Sequence, residues 1–223
     1  MLLSTDLKYI FSANPKTGTR SIQQILANNS IRLGDHPQTI ICPSLCKMKC
    51  PDFDSDNLQK IYVFWRDPVE RFISTVNFLR SGGVRNIIRR HPSWFPGVQL
   101  PINGPEAGGF TITDEILAMA SVITPEQIFE EEMMRRNLET PTETLPFFNK
   151  QLNWVITDPK VQIMDFADFE NNAKIIISSF GLDPSTTTIP KINESIKLTT
   201  SISPELETQV REYYAEDYAL KPV

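Results

Sequence analysis

The sequence is poor in cysteine and histidine, with three and two among its 223 residues. It holds no apolar run near the ~18 residues that a membrane-crossing helix needs, so no membrane span is expected. The cysteines, Cys42, Cys46 and Cys50, form one C-x3-C-x3-C cluster. An odd number in a single cluster makes no disulfide framework. A zinc site would require a fourth ligand, for which His36 is near, and usually C-x2-C pairs. The cluster reads instead as reduced thiols of a cytoplasmic protein, and no metal is expected. Residues Met1 to Lys8 lack the basic n-region and long apolar h-region of a secretory signal, which again implies a cytoplasmic location. No internal repeat and no low-complexity tract is present.

What remains is a globular composition, 40% hydrophobic, 22% charged and 9% aromatic. The length suits a single domain, 1–223, with a core of its own. The net charge of −5 argues against general nucleic-acid binding. That charge is unevenly spread: residues 1–100 hold 13 Lys and Arg against 7 Asp and Glu, whereas residues 101–223 hold 9 against 20. A locally basic first half suits a small anionic ligand, or is solvated surface.

Strands and helices alternate. Lys8 to Ala13 reads as a strand, Asn14 to Thr19 as a tight turn, and Ile22, Ile25 and Leu26 as one face of a helix. A short strand is possible at Thr39 to Cys42. Ile61 to Trp65 is unbroken and apolar, the pattern of a strand buried on both faces. The next helix opens with Asp67 as cap, Pro68 at the first position and Glu70 at the third, and carries Val69, Phe72, Ile73, Val76 and Leu79 as its stripe. Ser74 lies nearly opposite that stripe. Residues 81–110, rich in Gly and Pro, read as a long irregular insertion. Helices follow at 113–121 and at 125–136, the second opened by a capping box at Thr124 to Gln127. Then come a strand at Val161 to Phe166, a helix from Asp168 to Phe180 stopped by Gly181, and a last helix from Ser203. This order implies an α/β fold with a mainly parallel sheet flanked by helices.

Two segments carry chemistry. Pro15-Lys16-Thr17-Gly18-Thr19-Arg20-Ser21 joins a strand to a helix, where backbone N–H groups at a helix N-terminus bind phosphate or sulfate. Gly18 allows close approach, Lys16 adds charge, and Thr17, Thr19 and Ser21 add hydroxyls. The Lys precedes the only Gly, so this is not a Walker A loop; the alternative is an ordinary turn. Arg66-Asp67-Pro68-Val69-Glu70-Arg71-Phe72-Ile73-Ser74 follows the buried strand, at the sheet edge where open α/β folds bind ligands. Arg66 and Ser74 suit a second phosphate. Arg71 reads as an ion-pair partner of Asp67 or Glu70.

As a pair these segments resemble the sulfotransferase superfamily that uses 3′-phosphoadenosine 5′-phosphosulfate (PAPS), closest to its carbohydrate (Golgi-type) and bacterial branch. Gln162 to Phe169, Pro190-Lys191-Ile192-Asn193-Glu194-Ser195 and Tyr213 to Leu220 are similar to later segments of that family, although Asp165-Phe166-Ala167-Asp168 departs from its E-[DN]-L-like pattern. The resemblance implies a P-loop-like three-layer fold and transfer of a sulfuryl group from PAPS to a hydroxylated small-molecule or glycan acceptor, leaving PAP, without a metal. It implies that Lys16 meets the sulfate and the bridging oxygen. It implies that Pro15, Lys16, Thr17, Gly18, Thr19, Arg20 and Ser21 cradle the 5′-phosphate, that Arg66 and Ser74 grip the 3′-phosphate, and that Lys191 and Asn193 lie near the nucleotide. It favours His36 as general base, with His91 and Glu70 as rivals. The insertion is then the acceptor region, with Arg85, Arg89 and Arg90 for charge and Trp94 and Phe95 to stack on a sugar. The alternatives are a non-catalytic PAP- or PAPS-binding protein and a small P-loop kinase using ATP and magnesium.

Overall fold

A computed structural model of the chain describes residues 1–33, 46, 47, 49–98, 111–138, 148–154, 158–190 and 196–222. The chain divides into two compact units, one comprising Met1–Arg71, Asn149–Ile192 and Arg211–Val223, the other Phe72–Phe148 and Asn193–Val210.

The first unit is built on a five-stranded sheet of order β3-β1-β2-β4-β5. Its strands are β1 (Leu2–Ser4), β2 (Tyr9–Ser12), β3 (Ser30–Arg32), β4 (Lys60–Trp65) and β5 (Val161–Asp165). The β2–β4 and β4–β5 pairs are parallel, as the alternation of elements implies. The β1–β2 and β1–β3 pairs are antiparallel, so the sheet is mixed and not mainly parallel. The cause is local. β1 and β2 are joined by a tight turn in which Leu7 is left-handed (φ 63°) and the Ser4 Oγ accepts from the N–H groups of Lys8 (3.2 Å) and Tyr9 (3.0 Å). So short a connection permits only an antiparallel pair.

Alternation along the strands sends side chains to two cores. Leu2, Phe11, Tyr62, Phe64 and Met164 face α1 (Thr19–Leu26), through Ile22 and Leu26, together with the helix Phe169–Ser179, through Ala173 and Ile176. Leu3, Ile10, Ile61 and Val63 face the segment 46–58, which contributes Cys46, Cys50, Phe53 and Leu58. Cys46 and Cys50 are therefore core residues. Cys42, His36 and the strand expected at Thr39 to Cys42 lie outside the described residues.

The chain order of the remaining helices is α2 (Pro68–Leu79), α3 (Val84–Arg90), α4 (Asp114–Ser121), α5 (Pro125–Leu138), α6 (Phe169–Ser179) and α7 (Pro204–Tyr213). The division between the units falls within α2 and α7. In the second unit Phe72 packs edge-on against Phe129 (5.8 Å) and at a tilt against Phe148 (6.1 Å). The Asn77 side chain pairs with the backbone of Thr199 through two hydrogen bonds, 2.7 and 2.8 Å. The capping box of α5 closes in both directions, Gln127 N–H to Thr124 Oγ1 (3.2 Å) and Thr124 N–H to Gln127 Oε1 (2.9 Å). The insertion is less irregular than its composition implied: α3 and a 3-10 turn at Pro92–Trp94 occupy its first part, and residues 99–110 lie outside the described residues. The Gly82-Gly83 pair precedes α3 instead of breaking it, and a Cβ at Gly83 would strike the Phe78 ring.

Candidate functional site

β2 and β4 are parallel neighbours, so their carboxyl ends meet at one edge of the sheet. Two chain segments leave that edge together. After β2 the chain turns through Asn14 to Gly18 into α1. Lys16 (φ 65°) and Gly18 (φ 68°) are both left-handed. Only glycine adopts that conformation freely, so Lys16 is held there by its surroundings, a form of strain that concentrates at functional sites. Gly18 has a second constraint, because a Cβ on it would come within 2.7 Å of the Phe169 ring and 3.0 Å of Phe166. As N-cap it offers no side chain to the first turn of α1, whose N–H groups point out along the axis and carry the positive end of the helix dipole.

After β4 comes Arg66. Its Nη1 donates to the Lys16 carbonyl (3.2 Å), its guanidinium lies 4.7 Å over the Phe166 ring, and its Nε is 3.6 Å from the Glu70 carboxylate. The two segments singled out in the sequence are thus brought together, with three cations, Lys16, Arg20 and Arg66, around the start of α1. Burial, then the charges of Arg66 and Arg20, pull the Lys16 ammonium down to about 8. Burial also lowers Arg66, against the opposing effect of Glu70.

Other assignments shift. The Thr17 hydroxyl is buried and donates to the Asn14 carbonyl (2.7 Å), so it braces the loop. The Ser21 N–H donates to Gly18 O (3.1 Å), which takes it out of the expected N–H cradle. Pro15 and Thr19 are half-buried and Arg20 is exposed. Asp67 caps α2 as expected, its Oδ1 accepting from Val69 (2.9 Å) and Glu70 (3.2 Å). Glu70 is exposed and turned to Arg66. Ser74 belongs to the second unit, half-buried in α2. Asp165 and Asp168 serve local turns, accepting from the Ala167 N–H (2.9 Å) and the Asn171 amide (2.7 Å). His36, Lys191 and Asn193 lie outside the described residues.

Arg71 was expected to pair along its own helix. It is instead buried: its Nη2 donates to Asn149 O (2.9 Å) and lies 3.8 Å from Asp217 Oδ2, and its guanidinium lies over Tyr214 (4.9 Å). Behind it stands a buried polar network that the sequence does not announce. Asp217 accepts from the N–H groups of Gln151 (2.8 Å) and Leu152 (3.0 Å). The Gln151 side chain reaches Arg66 and Asn14. The only hint is that Asp217 falls within the C-terminal segment already noted for its likeness.

The insertion residues belong to the second unit. Phe95 is buried in its core and cannot stack on a sugar. Trp94 stacks on His91 at 4.2 Å. His91 is buried, its Nδ1 3.8 Å from Glu131. Arg90 pairs with the buried Glu132 (3.2 Å), whereas Arg85 is half-buried and Arg89 exposed. Among the described residues no group of three or more His, Cys, Asp or Glu is placed to hold a metal, and no helix is long and apolar enough to cross a membrane.

Compared with protein-family models, with curated proteins and with solved structures, the chain matches none.

Proposed function

We propose that this chain is a PAPS-dependent sulfotransferase of P-loop-like fold, acting on a hydroxyl acceptor of the carbohydrate class. One observation carries the reading: the Lys16 loop and Arg66 leave adjacent parallel strands and touch, Arg66 Nη1 to Lys16 O at 3.2 Å. The residues fit a doubly anionic nucleotide. The N-terminus of α1 has no side-chain cap and no acidic residue in its first turn, and cations flank it on both segments. Such an arrangement binds anions.

PAPS supplies an activated sulfuryl group and a phosphate leaving group. In an in-line displacement the acceptor oxygen forms a bond to sulfur as the bond from sulfur to the 5′-phosphate oxygen breaks, and the acceptor proton passes to a base. Lys16 offsets charge on the departing oxygen, the loop N–H groups orient the 5′-phosphate, and Arg66 holds the 3′-phosphate. That last contact discriminates against ATP, which has no 3′-phosphate. Of the three candidate bases, Glu70 faces Arg66 and His91 faces Trp94 and Glu131, while His36, which the resemblance favours, lies outside the described residues.

The test is a thermal melt with PAP, with ADP, and with an Arg66→Ala variant. PAP at 100 times Kd adds about 2.7 kcal/mol, or roughly 5–10 °C for a chain of this length. The Arg66→Ala variant loses the shift, and ADP gives little. No shift with PAP ends the reading, a shift with ADP alone favours a kinase, and PAP binding without sulfate transfer to any acceptor leaves a binding protein. PAP affinity also falls as pH rises through about 8, where Lys16 loses its charge, and Lys16→Arg flattens that profile. Without ligand the sign reverses. The folded value lies below the ordinary 10.5, so the unfolded chain holds more protons between about 8 and 10.5, and stability rises across that window.

A further inference from the structure

The ladder between β2 and β4 ends at Ser12 and Val63. Beyond it, side-chain amides take over. Asn14 Nδ2 donates to Phe64 O (3.2 Å) and to Gln151 Oε1 (3.2 Å). Gln151 Oε1 also accepts from the Arg66 N–H (3.0 Å), and its Nε2 donates to Arg66 O (2.7 Å). Gln151 thus pairs with both backbone groups of Arg66 as a neighbouring strand would. The amide orientations are mutually determined: the Phe64 and Arg66 carbonyls only accept, and the Arg66 N–H only donates. Gln151 is itself held through its backbone N–H by Asp217 (2.8 Å).

Asn14, Gln151 and Asp217 are each fully buried. Replacing such a polar network by an apolar core is often neutral or stabilising, so stability alone does not explain it. It does impose a fixed geometry: one amide joins the exit of β2, which presents Lys16, to the exit of β4, which presents Arg66. We infer that Gln151 is a positioning residue that sets the spacing between the Lys16 loop and Arg66, and so selects a ligand with two separated anionic groups over one with a single group. This rests on the nucleotide reading above.

The experiment compares the affinities of PAP, with two phosphates, and 5′-AMP, with one, by calorimetry on the full chain and on Gln151→Met. Methionine keeps the length and loses every amide hydrogen bond. The ratio of PAP to AMP affinity falls roughly tenfold, about 1.4 kcal/mol, while AMP binding changes little. A merely structural role would lower both affinities together, with the melting temperature, and leave the ratio unchanged; that result overturns the inference. Should Gln151→Met not fold, Asn14→Ser removes only the bridge from Phe64 and Gln151 to the loop. A smaller fall in the same ratio supports the inference, and an unchanged ratio overturns it. A wild-type chain that binds PAP no better than AMP overturns the nucleotide reading, and the inference with it.

Discussion

Each unit contains a buried arginine–carboxylate pair, and the two are built differently. In the first unit Asp217 and Arg71 are 0% and 1% exposed. Both Asp217 oxygens accept backbone N–H groups, and Arg71 also serves the Asn149 carbonyl. In the second unit Glu132 is equally buried, at 1%, but Arg90 is 15% exposed. Only Glu132 Oε1 meets Arg90, and Oε2 has no hydrogen-bond partner among the described residues. Burial raises the carboxyls of both acids against the pull of their partners. A buried ion pair is worth what its remaining hydrogen bonds make it. The Asp217 pair organises the backbone of residues 149–152, whereas the Glu132 pair leaves an acceptor unmet among the described residues and is the weaker of the two.

The largest effect should come from Asp217→Asn. It uncovers Arg71 and turns an NH2 toward a backbone donor, at a cost of about 3–5 kcal/mol, read as a lower urea midpoint with an unchanged slope. A loss below about 1 kcal/mol would erase the distinction between the units. Next, Glu132→Gln should cost about 1 kcal/mol, because one Glu132 oxygen already lacks a partner. Its pH signature sharpens the contrast. Glu132 titrates above its ordinary 4.5 in the fold, so its contribution is complete below 4.5 and is lost as pH rises through the folded value. The stability advantage of wild type over Glu132→Gln should therefore shrink as pH rises across that window, and a flat difference would refute the raised carboxyl. The smallest effect belongs to the half-exposed pair, Arg66 (20% exposed) with Glu70 (64% exposed). Surface pairs contribute roughly 0.2–1 kcal/mol. Glu70→Gln should thus tighten PAP by only a fewfold, by releasing Arg66, with stability nearly unchanged; weaker binding would show that Glu70 helps hold the ligand.

These pairs also mark where the sequence was legible. The strands at 9–12 and 60–65 stand out as largely apolar runs and 161–165 as a short β-forming stretch, α2 as a capped amphipathic stretch and α5 by its capping box, because those signals are local. β1 and β3, of three residues each, are too short to show a period, and with them the mixed character of the sheet was missed. The Lys16 loop and Arg66 were readable because each is a contiguous motif. Gln151 and Asn14 were not, since their bond joins positions 137 apart. Arg71 misled for the same reason: Asp67 and Glu70 are near in sequence, but the cavity that accepts its guanidinium is made by Asp217, Tyr214 and Asn149. Phe95, read as a stacking surface in a loop, is buried at 1% exposure in the second unit.

The hydrogen-bonded line from Asn14 through Gln151 to Asp217 has a consequence for synthesis. A chain made at about 5–20 residues per second releases Asn14 roughly 10–40 s before Asp217. For that interval the loop is complete in sequence, yet the partners that lock it do not exist. A nascent chain therefore carries the Lys16 loop long before the residues that hold it are made, and the hydrogen-bonded line is complete only once Asp217 has emerged.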